Sequence, residues 1–298
     1  MEPKKLRNSA ELYLKGFLIG CAETVPGVSG ATIAMITGVY SSLIDSLSAI
    51  GSLRPEKTDF KFLTVLGAGT VTALLIFLNM MNFLLNSYTV SLYGFFFTVI
   101  FFSGLILVSK IDLKNRKKKL AVVLGLIVSI TVSGLSSTAL DHSLPVIFFS
   151  GFISITALVF PGISGSLILI MLGQYSFMVE TVNNALNTMF NSLRTFDIKG
   201  FLSVPVELPV FLSGAVLGLG FSVYFVKNMF SYDRDLTISF LVSLVLGSSV
   251  APLIRISENS SATGFAVFAT SEFLLPAILG SIITLLLESK TNLISVDT

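Results

Sequence analysis

Long apolar segments separated by short polar stretches make up most of this chain. An apolar run of ~20 residues can cross the hydrocarbon core of a membrane as a helix, and six segments approach or exceed that length: 62–84, 90–109, 120–138, 204–226, 236–254 and 272–287. Hydrophobic residues make up 53% of the 298 residues and charged residues 12%, about half the charged share of a soluble domain. The pattern predicts one all-α, multi-pass membrane domain without a sizeable water-soluble part.

Two further segments, 12–50 and 144–182, have a different pattern. Each is predicted as an apolar helix, a Pro-Gly-x-Ser-Gly break and a second apolar helix, which begins at Ala31 or Ser166. Proline removes a backbone donor and glycine permits left-handed backbone, so a continuous helix is not expected through the break. The first arm, about Leu12 to Thr24, is too short to cross ~30 Å of hydrocarbon. Each segment is therefore predicted to be a re-entrant helical hairpin, buried in protein or lining a wet cavity.

The two breaks belong to an internal repeat. Val25–Gly30 recurs 135 residues later as Phe160–Gly165, and without a gap 10 of 25 positions are identical between 16–40 and 151–175. The chain is therefore predicted to consist of two repeats, 1–139 and 140–298, each a hairpin followed by three transmembrane helices. Interrupted apolar segments at corresponding positions of two halves are typical of a transporter binding site.

The distribution of basic residues predicts the topology. With cytoplasmic N- and C-termini and hairpins that return to their own side, 16 of the 19 lysines and arginines, Lys15 among them, lie in cytoplasmic segments, as the positive-inside rule favours. Three spans between the hairpins then put the second hairpin on the opposite side, which makes the repeats inverted. Charge alone does not separate a re-entrant hairpin from two full crossings; the short first arm favours the re-entrant form.

The motif suggests an anion site. A helix start carries unpaired backbone N–H groups and a partial positive charge, glycines let an anion approach the backbone, and Ser29 and Ser164 can cap a helix or donate to an oxyanion. The alternative is that the motif only ends one helix and caps the next; its duplication favours a ligand. The candidate substrate-binding residues are Glu23, Pro26, Gly27, Ser29, Gly30, Thr32, Pro161, Gly162, Ser164, Gly165 and Ser166.

Glu23 is the acidic residue of the first apolar arm. An acid at membrane depth is costly and indicates function, so Glu23 is interpreted as a proton- or cation-coupling group, or as a sensor of the ligand's charge. The alternative is a shallow arm that lets Glu23 reach interfacial water. In the second repeat, Leu158 stands at the position of Glu23, and Leu167 stands at that of Thr32. Any role of Glu23 or Thr32 would therefore be confined to the first repeat.

No catalytic residue, cofactor or metal site is predicted. Cys21 is the only cysteine, which excludes an intrachain disulfide and a cysteine-rich metal site. No small-residue cleavage site follows a compact apolar core after Met1, so no removable signal peptide is expected.

At these motifs the sequence resembles the polyprenyl-phosphate translocase family, once known only as a domain of unknown function. The family's first motif, Gly-x-Ala-(Asp/Glu)-x-Val-Pro-Gly-Val-Ser-Gly-Gly-Thr-Ile-Ala, matches Gly20–Ala34, and its second, Pro-Gly-Ile-Ser-Gly-Ser followed by Leu-Gly-x-Tyr, matches Pro161–Ser166 and Leu172–Tyr175. One departure is Ala31, where a glycine is usual. The resemblance implies a cell-membrane flippase, not an enzyme. Its substrate would be a polyprenyl phosphate, undecaprenyl or dolichyl-like, returned from the outer to the cytoplasmic leaflet for recycling in cell-envelope glycan synthesis.

Two other functions use similar hairpins. Membrane polyprenyl-pyrophosphate phosphatases have a motif resembling Pro-Gly-x-Ser-Arg-Ser, but here Gly30 and Gly165 stand where the arginine would be, and no histidine is near either motif. That chemistry needs a cationic clamp and partners for the nucleophile, so translocation without hydrolysis is favoured. A small-anion carrier is the third possibility, since a midplane helix start serves any anion.

Overall fold

The computed structural model describes residues 8–135, 140–195, 205–259 and 264–291, and every regular element in them is helical, as the sequence predicts. The first repeat region and the spans after it form α1 Ser9–Glu23, α2 Gly30–Ile36, α3 Tyr40–Gly51, α4 Lys57–Ser87, α5 Thr89–Ser109 and α6 Arg116–Gly134. The remaining helices are α7 Leu144–Val159, α8 Gly165–Met171, α9 Tyr175–Thr195, α10 Glu207–Tyr232, α11 Arg234–Ser248, α12 Val250–Asn259, a 3₁₀ helix at Gly264–Ala269 and α13 Ser271–Thr291.

Several helices are long and apolar enough to cross a membrane, so the chain is a multi-pass membrane protein. Within the described ranges there are four such stretches, or up to six if each bent helix pair counts as one span; the four are Lys57–Phe77, Thr89–Ser109, Glu207–Tyr232 and Arg234–Glu258. The described part of the predicted span 120–138 lies mostly in α6, which begins with four basic residues. The predicted span 272–287 lies in α13, whose apolar part is a shorter helix. Residues 1–7 and 292–298 lie outside the described part, so the cytoplasmic termini stay a prediction.

The structure corrects the second arm of each hairpin, which is not one helix. After seven residues α2 ends at Ile36; Gly38, with φ +67°, follows two residues later, and α3 leaves at 117°. In the same way α8 ends at Met171, and Gly173, with φ +70°, precedes a 108° bend. In both, the N–H of the glycine and of the next residue turn back to carbonyls of the same helix, as in a Schellman ending. The prediction missed these bends because the flanking residues are apolar, although both glycines belong to the repeat.

Two close helix pairs use the same glycine contacts. A Cβ atom added to Gly69 of α4 would overlap the carbonyl oxygen of Tyr13 in α1, and one added to Gly214 of α10 would overlap that of Phe148 in α7. Tyr13 and Phe148 are 135 positions apart, like the two breaks. Small residues allow backbones to approach this closely inside a membrane, so the likeness of the two segments extends to the helix that follows each hairpin.

The helices cluster into two compact units. The first unit combines the described residues of Met1–Gly134, Phe160–Ser164 and Val223–Thr298, so it contains both Pro-Gly breaks. Its centre is α11, where Leu241 and Leu244 are fully buried and the hydroxyl of Ser129 in α6 donates to the carbonyl of Leu244 at 2.8 Å.

The second unit holds α7, α8, α9 and the first part of α10. The fully buried Gln174 anchors the segment before α7. Its amide donates to the carbonyl of Asp141 at 2.9 Å, and its carbonyl oxygen lies 3.0 Å from His142 Nδ1. His142 also stacks on Phe177, so the one histidine serves packing within this unit.

Candidate functional site

Each Pro-Gly pair forms a tight turn. In the first, the N–H of Val28 donates to the carbonyl of Val25 at 3.1 Å, and Gly27 has φ +87°. In the second, the N–H of Ile163 donates to the carbonyl of Phe160 at 3.3 Å, and Gly162 has φ +84°. Proline followed by a glycine with positive φ is the signature of a type II turn, which explains why both residues occur in both copies.

The first turn is buried and fixed from α5. The side chains of Val25 and Val28 are essentially inaccessible, and the hydroxyl of Tyr93, itself 3% exposed, donates to the carbonyl of Pro26 at 3.1 Å. A buried carbonyl without a partner would be costly, so Tyr93 stabilises this turn. Sequence reasoning missed Tyr93; the available signal was a single tyrosine in a span otherwise rich in phenylalanine.

Glu23 caps the first helix start. The backbone N–H of Gly30, the first residue of α2, donates to Glu23 Oε1 at 2.6 Å. A carboxylate at a helix N-terminus satisfies an unpaired donor and opposes the positive end of the dipole. The position that the sequence predicts for an external anion is therefore filled here by a carboxyl group of the protein.

Ser29 occupies the N-cap position of α2 but does not cap it. Its backbone is extended there and its side chain makes no capping hydrogen bond. The hydroxyl is buried at 3% exposure, and it has no hydrogen-bond partner within the described structure. A buried hydroxyl normally has a partner, so Ser29 holds unused hydrogen-bonding capacity beside the first turn.

Thr32 joins the two breaks. The backbone N–H of Gly162 donates to Thr32 Oγ1 at 2.7 Å, and Thr32 is fully buried. The sequence suggested Thr32 as a donor to a ligand; in the structure its hydroxyl oxygen accepts from the second turn. Sequence distance gives no sign of this contact, because the two residues are 130 positions apart.

The segment α11–α12 passes both turns. A Cβ atom on Gly162 would overlap the carbonyl of Leu244 in α11, whereas one on Gly27 would have Ala251 of α12 as its neighbour at 3.8 Å. Arg255 follows Ala251 by one helical turn on the same face and forms an ion pair with Glu258 at 2.5 Å. The sequence pattern did not connect α11–α12 with the breaks.

The other predicted residues lie in the two units as follows. Pro161 and Ser164 are buried parts of the second break, in the first unit. Gly165 and Ser166 begin α8 in the second unit, where a Cβ on Gly165 would lie 2.7 Å from the carbonyl oxygen of Ser154 in α7. The second hairpin is thus as tightly closed as the first, where Gly30 lies against Glu23.

Comparison with known proteins adds a family. Residues 19–264 match the model of a family described as undecaprenyl phosphate translocase-like. A protein of Vibrio cholerae serotype O1 named polyprenyl-phosphate transporter is 30% identical over 82% of this chain and 77% of its own length. A protein of Staphylococcus aureus with the same name is 27% identical over 80% of this chain and 84% of its own length. No solved structure matches the chain.

Proposed function

The chain belongs to the undecaprenyl phosphate translocase-like family, and on that premise we propose that it is a flippase for a polyprenyl phosphate carrier lipid. It moves the lipid from the outer to the cytoplasmic leaflet, where the lipid is used again in cell-envelope glycan synthesis. The observation that carries the proposal is the hydrogen bond from Gly162 N–H to Thr32, which brings two Pro-Gly turns together inside a membrane protein. The polar groups of these two turns can shield the charged head of the lipid from hydrocarbon, while its apolar tail stays in the bilayer.

In this proposal, the phosphate head displaces two side chains that now accept hydrogen bonds from the backbone of the breaks. The N–H of Gly30 is occupied by Glu23 and that of Gly162 by Thr32. An entering phosphate takes both donors and adds the hydroxyl of Ser29. Hydrogen bonds to charged groups contribute roughly 1.5–3 kcal/mol each, so the exchange of one anion for another at Gly30 is close to balanced and therefore reversible.

The remaining residues of the motif shape and extend this site. Pro26, Gly27 and Pro161 set the two turns, and Ser164, Gly165 and Ser166 continue the second turn into α8. With these residues the head is held mainly by backbone groups. A backbone cradle binds the phosphate without a fixed cation, which favours release on the far side.

Glu23 couples the exchange to a proton or another cation. When a phosphate displaces Glu23 from Gly30, two negative charges come close together in a site of low dielectric, which is unfavourable. Protonation of Glu23, or a cation beside it, removes that repulsion. The direct hydrogen bond between Glu23 and Gly30 supports this role.

Alternating access follows from the two repeats, 1–139 and 140–298. In this proposal their topology is inverted, each hairpin enters from its own side, and one shared site opens to either leaflet. The matching turns, the matching bends at Gly38 and Gly173 and the matching contacts of Gly69 and Gly214 support it.

The test is reconstitution of the full chain in liposomes with a polyprenyl phosphate, following its transfer between leaflets together with released phosphate. We expect leaflet exchange without phosphate release, lost in the double variant Ser29→Ala, Ser164→Ala and kept in Ser248→Ala, whose hydroxyl bonds its own helix. Phosphate released from a polyprenyl pyrophosphate would instead identify a phosphatase. Transport of inorganic phosphate without lipid exchange would identify a small-anion carrier.

A further inference from the structure

The first unit contains a cavity away from the two turns. Its volume is about 150 Å³, and it is bounded by α1, the bend after α2, α5 and α13. Its walls are almost entirely apolar, with Leu14, Leu18, Val99 and Ile283 among them. An apolar cavity of about this size holds a molecule such as benzene, so it has room for one five-carbon isoprene unit.

One side of the cavity faces lipid. Leu14 and Leu18, which lie one turn apart on α1, are 56% and 42% exposed. In a membrane protein, exposed leucines of this kind contact hydrocarbon. Thr37, the residue that caps the C-terminus of α2, also lines the cavity. Since α2 has seven residues, its start at Gly30 is about 10 Å away along the helix.

Two polar side chains stand in these apolar walls. Ser103 of α5 is 1% exposed, and no hydrogen-bond partner for its hydroxyl exists among the described residues. By contrast, the hydroxyl of Ser109 in the same helix donates to the carbonyl of Ile106. Ser103 thus holds unused hydrogen-bonding capacity in the wall of the cavity.

Lys15 is the second polar residue, and the structure buries it, whereas its sequence position suggested a cytoplasmic charge. Its side chain is 5% exposed and forms an ion pair at 2.8 Å with Glu11, whose side chain is 42% exposed. Burying an ammonium group is costly without an anion. Glu11 is the more exposed partner of this ion pair, so we expect an anion that enters the cavity to join the pair or to exchange with Glu11.

We propose that this cavity is the lateral entrance for the substrate. A lipid monophosphate with an isoprenoid tail places its phosphate on Lys15 and Ser103 and its first isoprene unit against Leu14, Leu18 and Ile283. The head then moves along α2 to the two turns. This inference rests on the proposed function, and it adds a binding position that precedes the turns.

Photocrosslinking tests the proposal. The full chain in liposomes is exposed to a polyprenyl phosphate with a diazirine on the first isoprene unit, and the labelled residues are mapped by mass spectrometry. We expect labels at the cavity residues, reduced about tenfold in Lys15→Met and restored in Lys15→Arg. Lys227→Met is the matched control, because Lys227 is ion-paired with Asp45 elsewhere. Ser103→Leu, which fills the cavity without changing charge, lowers labelling in the same way.

The outcomes separate this inference from the proposed function. Labels at the two turns with none in the cavity would overturn the entrance and leave the flippase intact. Equal labelling by a diazirine phosphatidylglycerol would also overturn it, since the cavity would then be a general lipid contact. No labelling anywhere, with no leaflet exchange by a folded protein, would overturn both.

Discussion

The N–H of Gly162 donates to the hydroxyl oxygen of Thr32 at 2.7 Å, so the second Pro-Gly turn rests on the helix that the first one starts. Thr32 is fully buried in a membrane protein, where an unpaired N–H is expensive. The same N–H is a donor that an anion can use. In the proposed mechanism, this contact closes the structure when the site is empty and offers a bond to the ligand when it is filled.

Thr32→Val is expected to weaken both folding and transport. The substitution removes the acceptor and leaves the N–H of Gly162 unsatisfied, which costs about 1–3 kcal/mol. A lower unfolding temperature in detergent and slower leaflet exchange would show this. Thr32→Ser keeps the acceptor and should restore most of both. Wild-type stability in Thr32→Val would contradict the contact.

Ser29→Ala is expected to separate binding from stability. The Ser29 hydroxyl has no partner in the described structure, so its loss leaves the unfolding temperature unchanged. If it contacts the phosphate, apparent affinity for the lipid falls about tenfold, equivalent to ~1.4 kcal/mol. Affinity from lipid titration of transport and melting in detergent are the two measurements. Unchanged affinity would remove Ser29 from the site.

Glu23→Gln is expected to remove the pH dependence of transport. The amide still accepts from Gly30 N–H but carries no charge, and a neutral hydrogen bond is weaker than a charge-assisted one. The phosphate should then bind more tightly, while uptake becomes insensitive to pH. Uptake is compared over a pH series with Glu272→Gln as control, because Glu272 is an exposed acid in the first turn of α13. A Glu23→Gln profile identical to that of the native protein would exclude the coupling role.

Alanine substitutions at three glycines separate the cost of backbone strain from the cost of steric overlap. Gly27→Ala meets only Ala251 at 3.8 Å, so its positive φ alone should cost about 1–2 kcal/mol. Gly162→Ala combines a positive φ with an overlap on Leu244 and should cost at least about 3 kcal/mol.

Gly220→Ala is the matched control, because nothing lies within 4 Å of the added Cβ. Its stability should stay within about 1 kcal/mol of the native value. The three variants are compared by melting in the same detergent. Equal melting temperatures for Gly27→Ala and Gly162→Ala would contradict the close approach of α11.

The two helix pairs should respond alike to substitution. Gly69→Ala and Gly214→Ala each force a methyl group onto a carbonyl of the partner helix, so both should lower the melting temperature. Gly67→Ala, two residues from Gly69 on α4, has open space at its Cβ and serves as control. A large loss of stability in only one of these two variants would mean that the two helix pairs are packed differently.

Much of the framework was predictable because it depends on local chemistry. The lengths of the apolar segments predicted α4, α5, α10 and α11–α12. The pairing of proline with glycine predicted both turns. The second bend of each hairpin was equally local, since Gly38 and Gly173 recur in the repeat, but a uniformly apolar stretch concealed it. The sequence also pointed to Glu23 as exceptional, although not to its partner.

By itself, then, the sequence determined the helical membrane class, the duplication and the positions where the helices break, since each follows from residues close together in the chain. Only the tertiary structure decided which groups pair with the freed backbone groups: Glu23 accepts from the N–H of Gly30, Thr32 accepts from that of Gly162, and Tyr93 donates to the carbonyl of Pro26. It also decided that Lys15 and Ser103 share a cavity. These pairings depend on which helices pack together, and in an apolar chain many packings bury similar surface. The few polar contacts of the candidate site therefore appear only when the helices are in place.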